Sequence, residues 1–389
     1  MGASVDTNPR IISAEADNKT VKLVWSHGET MECHSLWLRD QCGCHNCRHS
    51  QTHQRIASIL DIPPDVTAER VTLSDDGIHI TWCDGHTSSY RGRWLAGQTQ
   101  RVYRVRQHRA TLWHDEFKHN VPSTSYEQIN NSAQCRLRLF KTLLDYGLVR
   151  VSDVPSSTET TESLARLIGY IRETPHGRVY DIKSHPETAN IGYTSVALSP
   201  HTDAPYHYEA PGLVLFHFLE ASTIGGESVL VDGFAVAQVL RHENPQAFEL
   251  LTKHRWQYCI HEPNIDLRSE VAVITLSADG EYDRIVFNEY NASPRHLGIT
   301  ETEQTYQAWS QFAAIVNRPE MQVRLKVPPG EALLFDNRRI LHARTAFDPT
   351  TGSRWLRSCY LDRDSFHNNV RVLARTLNDP LADAVFTTR

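Results

Sequence analysis

The spacing of apolar residues divides the chain into a strand-like first part and a mixed second part. Residues 21–25 and 78–82 place an apolar side chain at every second position and are bounded by polar turns. This period is typical of strands that bury one face. Residues 137–146 show the wider spacing of an amphipathic helix, and residues 147–151 form a predicted strand directly after it. The pattern therefore predicts a small β-rich region, followed by a helix and a strand that open a larger domain.

Strand-like runs rich in apolar residues recur in the second part of the chain. They occupy residues 212–219, 331–335 and 354–360, and runs of this length are consistent with buried strands. Helical spacing is found over 234–241 and 303–316. Many strands with a few flanking helices favour a β-rich α+β fold.

Length and composition narrow the class of protein. A chain of 389 residues exceeds a typical single domain and suggests two. The net charge of −6 leaves no basic footprint, so nucleic acid is not an expected partner. No apolar run is long enough to cross a bilayer, and the first residues carry neither an apolar signal region nor an Arg-rich amphipathic pattern. We therefore expect a cytosolic protein without a membrane partner.

Four residues of the second part form the most informative set. His201 and Asp203 are two positions apart, and Arg354 follows His342 by twelve residues. Two histidines and one carboxylate form the facial triad that holds a catalytic iron(II) and leaves positions open for oxygen and a cosubstrate. We expect the first three residues to be the iron ligands. We expect the arginine to bind the far carboxylate of 2-oxoglutarate as a charge-assisted pair.

A histidine two positions before a carboxylate is weak evidence by itself. The chain has 21 histidines, and His27, His185 and His207 each precede a glutamate at this spacing. Those pairs are interpreted as solvated side chains. His201 and Asp203 differ because a strand-like run follows them, and residues i and i+2 of an extended segment project to the same side. The two side chains are therefore expected to face one metal ion.

Three of the eight cysteines crowd into the segment from Cys42 through Cys44 to Cys47. In a reducing compartment disulfides are not expected, and Cys-x2-Cys is a common zinc knuckle. A loop of free thiols is the alternative, although such a cluster is rarely accidental. The residues alone leave the fourth ligand open among His45, His49, His53, Cys83 and His86.

Several long-range motifs, in one order, resemble the γ-butyrobetaine and trimethyllysine dioxygenases, the two hydroxylases of carnitine synthesis. The matching stretches are Trp37-Leu-Arg-Asp40, Ile80-Thr-Trp82 with Asp84-Gly-His86, His201-Thr-Asp203, Gly225-Gly-Glu-Ser228, Val231-Asp-Gly-Phe234 and Phe335-Asp-Asn337 with Leu341-His342. The resemblance implies a double-stranded β-helix (jelly-roll) catalytic domain that uses Fe(II), 2-oxoglutarate and O2. It also implies a small zinc-binding N-terminal β domain and a homodimer, and it makes a mitochondrial location the alternative to the cytosol.

The same resemblance implies further roles for single residues. It selects His86 as the fourth ligand of a closed, structural Zn(II) site. Ser228 matches a hydroxyl that assists Arg354, and Asn190 matches an asparagine near the 1-carboxylate of 2-oxoglutarate. The predicted domains are an N-terminal zinc-binding domain at 1–104, a linker at 105–124 and the catalytic domain at 125–389.

Substrate recognition in this family uses a cage of aromatic rings around a trimethylammonium group, where cation–π attraction replaces hydration. The matching positions here are His176, Tyr180, Tyr193 and Tyr360. His176 stands where tyrosine is usual, and Tyr180 where tryptophan is usual. These departures put strict γ-butyrobetaine activity in doubt, and core packing is the rival interpretation for each tyrosine.

The loop at 287–291 adds Asn288 and Glu289 as predicted substrate contacts. Glu289 replaces a neutral residue of the family pattern, and a carboxylate there suits an amino group and repels a substrate carboxylate. The expected reaction is hydroxylation of an aliphatic C–H bond of a small cationic amine or betaine, trimethyllysine- or γ-butyrobetaine-like. One alternative is the same cofactor chemistry on a specialised-metabolite amine or amino acid, ending in hydroxylation, desaturation or cyclisation. Another is a catalytically inactive metal-binding module, against which the presence of all four primary residues argues.

Overall fold

The chain forms two compact units, residues 1–105 and residues 106–389. The computed structural model describes residues 10–103, 110–183, 194–294, 297–379 and 381, with the side chains of 97 and 99–103 excepted. In these ranges no helix has the length and apolar character needed to cross a membrane.

The first unit is built from two three-stranded antiparallel sheets. Their alternating strands turn Leu23, Ile78, Ile80 and Trp82 into one buried core, as the period-two pattern predicts. The strands are β1 Ile11–Asp17, β2 Thr20–Trp25, β3 Thr30–His34, β4 Ala68–Ser74, β5 Gly77–Trp82 and β6 Thr87–Arg91. The helices are α1 Ser35–Asp40 and α2 Gly92–Tyr103, with a 3-10 turn at Ile59–Asp61.

The second unit contains a six-stranded and a four-stranded sheet. The strands are β7 Ser123–Ser125, β8 Leu148–Ser152, β9 Tyr180–Lys183, β10 Leu198–His201, β11 Leu213–Ala221, β12 Ile224–Gly225, β13 Ser228–Asp232, β14 Arg255–Glu262, β15 Ile265–Ala272, β16 Ile274–Leu276, β17 Tyr282–Ile285, β18 Val323–Leu325, β19 Glu331–Asp336, β20 Ile340–Arg344, β21 Phe347–Asp348 and β22 Arg354–Leu361. The larger sheet has the order β7-β8-β19-β11-β22-β9, and the smaller has the order β10-β20-β13-β18. Three two-stranded pairs, β12–β21, β14–β15 and β16–β17, complete the strands.

The second unit has seven helices among its described residues, and α4, α6 and α8 correspond to the helical spacing seen at 137–146, 234–241 and 303–316. They are α3 Tyr126–Asn131, α4 Ala133–Tyr146, α5 Thr158–Ile168, α6 Gly233–Glu243, α7 Pro245–Lys253, α8 Ile299–Val316 and α9 Arg363–Thr376, with 3-10 turns at Asp115–His119 and Pro319–Met321. The Ser132 hydroxyl caps α4 and Asp232 caps α6, each accepting a backbone N–H of the first turn. Gly147 ends α4 in the left-handed conformation, with φ of 71°, which glycine adopts at little cost.

The described part of the expected linker belongs to the second unit. Trp113 and Phe117 are buried in a core that also contains Leu148 and Phe335. The indole Nε1 of Trp113 donates a hydrogen bond of 2.8 Å to the Tyr146 carbonyl. The stretch looks like a connector in the sequence because most of its residues are polar or basic. Two aromatic side chains are nevertheless enough to fix it against the sheet.

A buried ion pair fixes the turn between β19 and β20. The Arg339 guanidinium is bidentate to Asp232, with Nε–Oδ1 at 3.0 Å and Nη2–Oδ2 at 2.7 Å. Its remaining donors reach the carbonyl oxygens of Thr111 and Asp145 at 2.6 and 2.8 Å. Every charge is thereby compensated, which makes burial of the pair tolerable. The pair also ties β13 to the start of the strand that carries His342.

Replacing Arg339 by Met should therefore destabilise the second unit strongly. The change leaves the Asp232 carboxylate buried without its partner, a loss of about 3–5 kcal/mol in the free energy of unfolding. Urea unfolding followed by tryptophan fluorescence measures it. Arg318→Met is the matched control, because its pair with Glu243 lies at the surface and should contribute little to the free energy of unfolding. Equal losses in the two variants would contradict the role of the buried pair.

Candidate active site and metal centres

The three predicted iron ligands lie together in the second unit. His201 ends β10 and pairs across the sheet with His342 of β20. The Nε2 atoms of His201 and His342 lie 3.5 and 3.4 Å from the same Asp203 oxygen, Oδ1. The two imidazole rings are 4.4 Å apart between centroids. All three ligand atoms therefore face one point, as a facial triad requires.

The backbone of Asp203 is held by a side chain that comes from the β19–β20 turn. The Asp203 N–H donates to Asn337 Oδ1 at 2.8 Å, and Asn337 Nδ2 donates back to the Asp203 carbonyl at 3.0 Å. Asn288 Nδ2 donates to the preceding carbonyl, of Thr202, at 2.9 Å. Ala204 then turns the chain with φ of 49°, a conformation that costs a non-glycine residue about 1 kcal/mol or more. The carboxylate is thus fixed from three directions.

The protonation states of the triad suit a metal. His201 Nδ1 lies 2.8 Å from the Ser199 carbonyl, and donation there leaves Nε2 free to bind. Burial lowers the pKa of His342, against the opposing effect of Asp203. Burial alone would raise the pKa of Asp203, but the two histidines outweigh it and hold that pKa well below its usual range. At neutral pH Asp203 is therefore a carboxylate and the His342 imidazole is neutral, and these are the states that bind a metal ion.

Arg354 opens β22 as a guanidinium without a carboxylate partner among the residues that the structure describes. Burial and the neighbouring Arg344 lower its pKa to about 9, so the charge is poorly compensated. Gly226, with φ of 68°, lies against it, and a Cβ atom there would stand 3.2 Å from Arg354 Cδ. Ser228 is buried two residues further, on β13. The arrangement fits an anionic ligand such as the 5-carboxylate of 2-oxoglutarate.

Arg344 is a site residue that the sequence reasoning missed. It follows His342 by two positions on β20, and its Nη2 donates to the carbonyls of Thr194 and Val196, both at 2.7 Å. Those carbonyls directly follow the segment with Asn190 and Tyr193, two predicted site residues that lie outside the described residues. The two-residue spacing after a ligand on a strand is the signal that would have found it.

Two tyrosines of the predicted substrate cage lie near the triad. Tyr180 of β9 and Tyr360 of β22 pack edge to face with centroids 5.5 Å apart. Burial first, and then the Asp203 charge, raise the pKa of both well above the usual value. The same two causes, in the same order, raise the pKa of Tyr206 to about 12. Tyr206, which was not predicted, therefore faces the same carboxylate from the loop after β10.

The other predicted substrate contacts are arranged differently. His176 lies on an exposed turn, and its N–H donates to Thr174 Oγ1 at 3.2 Å. Glu289 is exposed, whereas Asn288 is buried and uses both ends of its amide on backbone groups. Asn288 therefore positions the Asp203 loop. The neighbouring Tyr290 packs edge to face on His201, with centroids 5.5 Å apart.

The first unit holds a second cluster of potential metal ligands. The sulfur atoms of Cys42, Cys44 and Cys47 lie 3.3, 3.5 and 3.7 Å from His86 Nε2, and all four ligand atoms lie within 4.8 Å of one another. Three thiols and one imidazole that converge on one point suit a tetrahedral zinc ion. Of the competing candidates, Cys83 is exposed and accepts a hydrogen bond from the Thr67 N–H.

A buried arginine supports the cysteine cluster. Arg39 Nη1 lies 3.6 Å from Cys47 Sγ, and Arg39 Nε donates to Asp84 Oδ2 at 2.9 Å. The other oxygen of Asp84 accepts the His86 N–H at 3.0 Å. One network thus connects the Cys47 sulfur to the backbone of His86, and its guanidinium would offset part of the negative charge of three thiolates that held a metal ion.

Family models match both units. The model of the taurine catabolism dioxygenases (TauD, TfdA family) matches residues 108–360, more than half of the chain, and a γ-butyrobetaine hydroxylase-like N-terminal model matches residues 12–96. The chain belongs to the TauD, TfdA dioxygenase family. As a member it is an oxidoreductase of the type that depends on Fe(II), 2-oxoglutarate and O2. The resemblance inferred from the motifs is confirmed.

Curated relatives align with this TauD-family chain over nearly its whole length. The γ-butyrobetaine dioxygenase of Pseudomonas sp. (strain AK-1) is 31% identical over 94% of this chain and 96% of the relative. The mitochondrial trimethyllysine dioxygenase of Mus musculus is 32% identical over 89% and 84%. The trimethyllysine dioxygenase of Meyerozyma guilliermondii is 29% identical over 97% and 98%. The two kinds of relative are about equally similar, so identity alone does not choose a substrate.

Iron binding by this family member is expected to require His342. His342→Ala should abolish iron(II) binding and substrate-coupled succinate formation, because two ligands do not make a facial triad. Metal titration, a succinate assay and circular dichroism test binding, turnover and fold. His27→Ala is the control, since His27 lies on the surface beside Glu29. Wild-type coupled turnover in the His342 variant would refute the ligand assignment.

Zinc binding is expected at the cysteine cluster of the first unit. The purified protein should carry about one tightly held zinc per chain, and Cys44→Ser should lose it and destabilise the first unit, because such sites contribute on the order of 10 kcal/mol to folding. Elemental analysis and thermal unfolding provide the measurements. Cys83→Ser should keep the metal. Zinc that survives His86→Ala but not His49→Ala would mean that the fourth ligand is misassigned.

Proposed function

We propose that this enzyme hydroxylates an aliphatic C–H bond of a small cationic amine or betaine, trimethyllysine- or γ-butyrobetaine-like. The observation that carries the proposal is the edge-to-face pair of Tyr180 and Tyr360, with centroids 5.5 Å apart. These two rings and Tyr206 lie near enough to Asp203 for its charge to raise the pKa of each hydroxyl, after the effect of burial. Three phenol rings beside a carboxylate form an electron-rich wall that favours a quaternary ammonium group. The relatives, which are γ-butyrobetaine and trimethyllysine dioxygenases, support the same substrate class.

Different residues of the chain would bind the metal, the cosubstrate and the substrate. His201, Asp203 and His342 would hold iron(II), and Arg354, assisted by Ser228, would hold 2-oxoglutarate. Bound iron and 2-oxoglutarate supply the oxidation of the substrate, coupled to decarboxylation of the cosubstrate to succinate. The protein's own contribution is to position one C–H bond near the metal and to exclude water. The tyrosine wall does this for a cation because its rings are rigid and largely buried.

Several finer features belong to the same proposal. The six- and four-stranded sheets are consistent with a double-stranded β-helix, since His201 and His342 lie on strands of the smaller sheet and Arg354 on the larger. The Cys3His cluster is proposed as a structural zinc site. The homodimer and the cytosolic location expected from the sequence stay predictions.

The decisive experiment compares a cation with its neutral isostere. γ-Butyrobetaine and its analogue with carbon in place of the ammonium nitrogen have the same shape, so the ratio of their KM values isolates the charge. Tyr360→Leu should raise KM for the cation about 30-fold, equivalent to roughly 2 kcal/mol for a desolvated cation–π contact. The neutral isostere should respond much less. Uncoupled decarboxylation of 2-oxoglutarate should persist, because its contacts lie elsewhere.

Two further variants control this test. Tyr360→Phe keeps the ring and should keep most of the preference, and Tyr170→Leu changes an exposed tyrosine (75% accessible) and should have no effect. An equal response of cation and isostere to Tyr360→Leu would mean that the tyrosine is core packing. If no quaternary amine stimulates succinate formation, the proposed substrate class is wrong.

A further inference from the structure

An arginine and a glutamate of opposite charge, Arg172 and Glu262, lie on segments that pack beside the tyrosines Tyr206 and Tyr360, and we infer that they recognise the head group of an α-amino acid. Arg172 would bind the α-carboxylate and Glu262 the α-ammonium group. The inference rests on the proposed function and narrows it, because it favours an amino acid with a trimethylated side-chain amine over γ-butyrobetaine.

Glu262 is the last residue of β14, the first strand of the β14–β15 hairpin. The hairpin is tied to the loop after β10 because Ser269 Oγ donates to the Pro205 carbonyl. On the same face of the hairpin, Ile260 and Leu267 pack against the cluster that contains Tyr206. Side chains alternate along a strand, so Glu262 continues the row of Tyr258 and Ile260 beyond the buried part. Its carboxylate is exposed and has no cationic partner in the described part of the chain.

Arg172 approaches from the other side, beside the cage residue Tyr360. Its backbone N–H donates to the Tyr360 carbonyl at 2.8 Å, and Ile171 pairs with Leu361 in an isolated β-bridge. The side chain is only partly exposed. Across residues 10–103, 110–183, 194–294 and 297–379, no carboxylate forms a salt bridge with it. A guanidinium that is partly desolvated and unpaired is suited to a ligand carboxylate.

Tyr206 and His207 are adjacent residues near these two charges. Their rings lie 5.3 Å apart. Burial, Arg172 and His176 lower the pKa of His207 to about 4, so the imidazole is neutral at pH 7 and does not compensate either charge. On the other side, Glu262 adds to the effects of burial and Asp203 on the pKa of Tyr206. Arg172 therefore acts on His207, and Glu262 acts on the adjacent Tyr206.

The chemistry of this pair distinguishes two kinds of substrate. An α-amino acid head group carries one positive and one negative charge on neighbouring atoms, and each finds an opposite charge here. γ-Butyrobetaine carries only a carboxylate at that end. Arg172 would attract this carboxylate, whereas Glu262 would repel it. The pair thus favours the zwitterion both by attraction and by exclusion of the competitor.

The test measures trimethyllysine and γ-butyrobetaine side by side on the full-length enzyme with iron(II) and 2-oxoglutarate. Glu262→Gln should raise KM and the calorimetric Kd for trimethyllysine about tenfold, as expected for a hydrogen bond to a charged group. The same change should leave γ-butyrobetaine unaffected or bind it more tightly. Arg172→Gln should weaken both substrates, because both carry a carboxylate. The kcat values should change little, since neither residue touches the metal ligands.

Asp266→Asn is the matched control for Glu262, because this carboxylate lies on the opposite face of the same hairpin and pairs with Arg268. Arg166→Gln is the matched control for Arg172, because Arg166 lies on the exposed face of α5. Neither control should change the ratio of the two KM values. If Glu262→Gln shifts the two substrates equally, or no more than Asp266→Asn does, the inference is wrong while the proposed function stands. If the wild-type enzyme couples neither substrate and still decarboxylates 2-oxoglutarate, the proposed function fails, and the inference fails with it.

Discussion

The active site depends on the two hydrogen bonds that join Asn337 to the backbone of Asp203. The pairing of β10 with β20 places His201 opposite His342, but a sheet register does not fix a carboxylate that lies beyond the end of the strand. Asn337 does so because it follows β19 directly and comes from the turn that leads into β20. The three ligands therefore move as one unit with the β19–β20 turn, which Arg339 anchors in turn to Asp232.

In the first unit, a charged side chain helps to hold the Cys3His cluster together. Three thiols near one another repel as soon as they ionise, so the cluster requires a compensating cation. Arg39 provides part of this compensation from within the protein, because it touches Cys47 and holds Asp84, which orients His86. A divalent ion would provide the rest. The three cysteines lie close together in the sequence, so local structure brings their sulfur atoms together. The histidine comes from the β5–β6 turn, and only the tertiary fold brings it to them.

Local patterns account for what the sequence could predict. The period-two strands and the amphipathic α4 are encoded by neighbouring residues. His342 lies far from His201 and Asp203 in the chain, and the three candidate iron ligands were identified from their context and from long-range motifs that indicated the family. Residues such as Asn337 escaped functional assignment because the contact with Asp203 spans 134 positions. Tyr206 and Arg172 escaped for the same reason, since a tyrosine or an arginine is ordinary until its neighbours are known. The residues alone left His86 as one of five candidates, and the family resemblance selected it. The hairpin geometry places His86 against the sulfur atoms.

Buried charges in this protein fall into two groups, and the difference separates stability from function. Arg339 and Asp232 satisfy each other and two further carbonyls, so nothing remains for a ligand. Arg354 is also largely removed from water, but its nearest charged neighbour is another arginine, and its lowered pKa reflects that conflict. Holding such a charge costs free energy in the folded protein. Binding of an anion offsets that cost, because the carboxylate of the ligand becomes the ionic partner that the described residues do not provide. An uncompensated guanidinium inside the fold is therefore better evidence for a cosubstrate site than the arginine's position in the sequence.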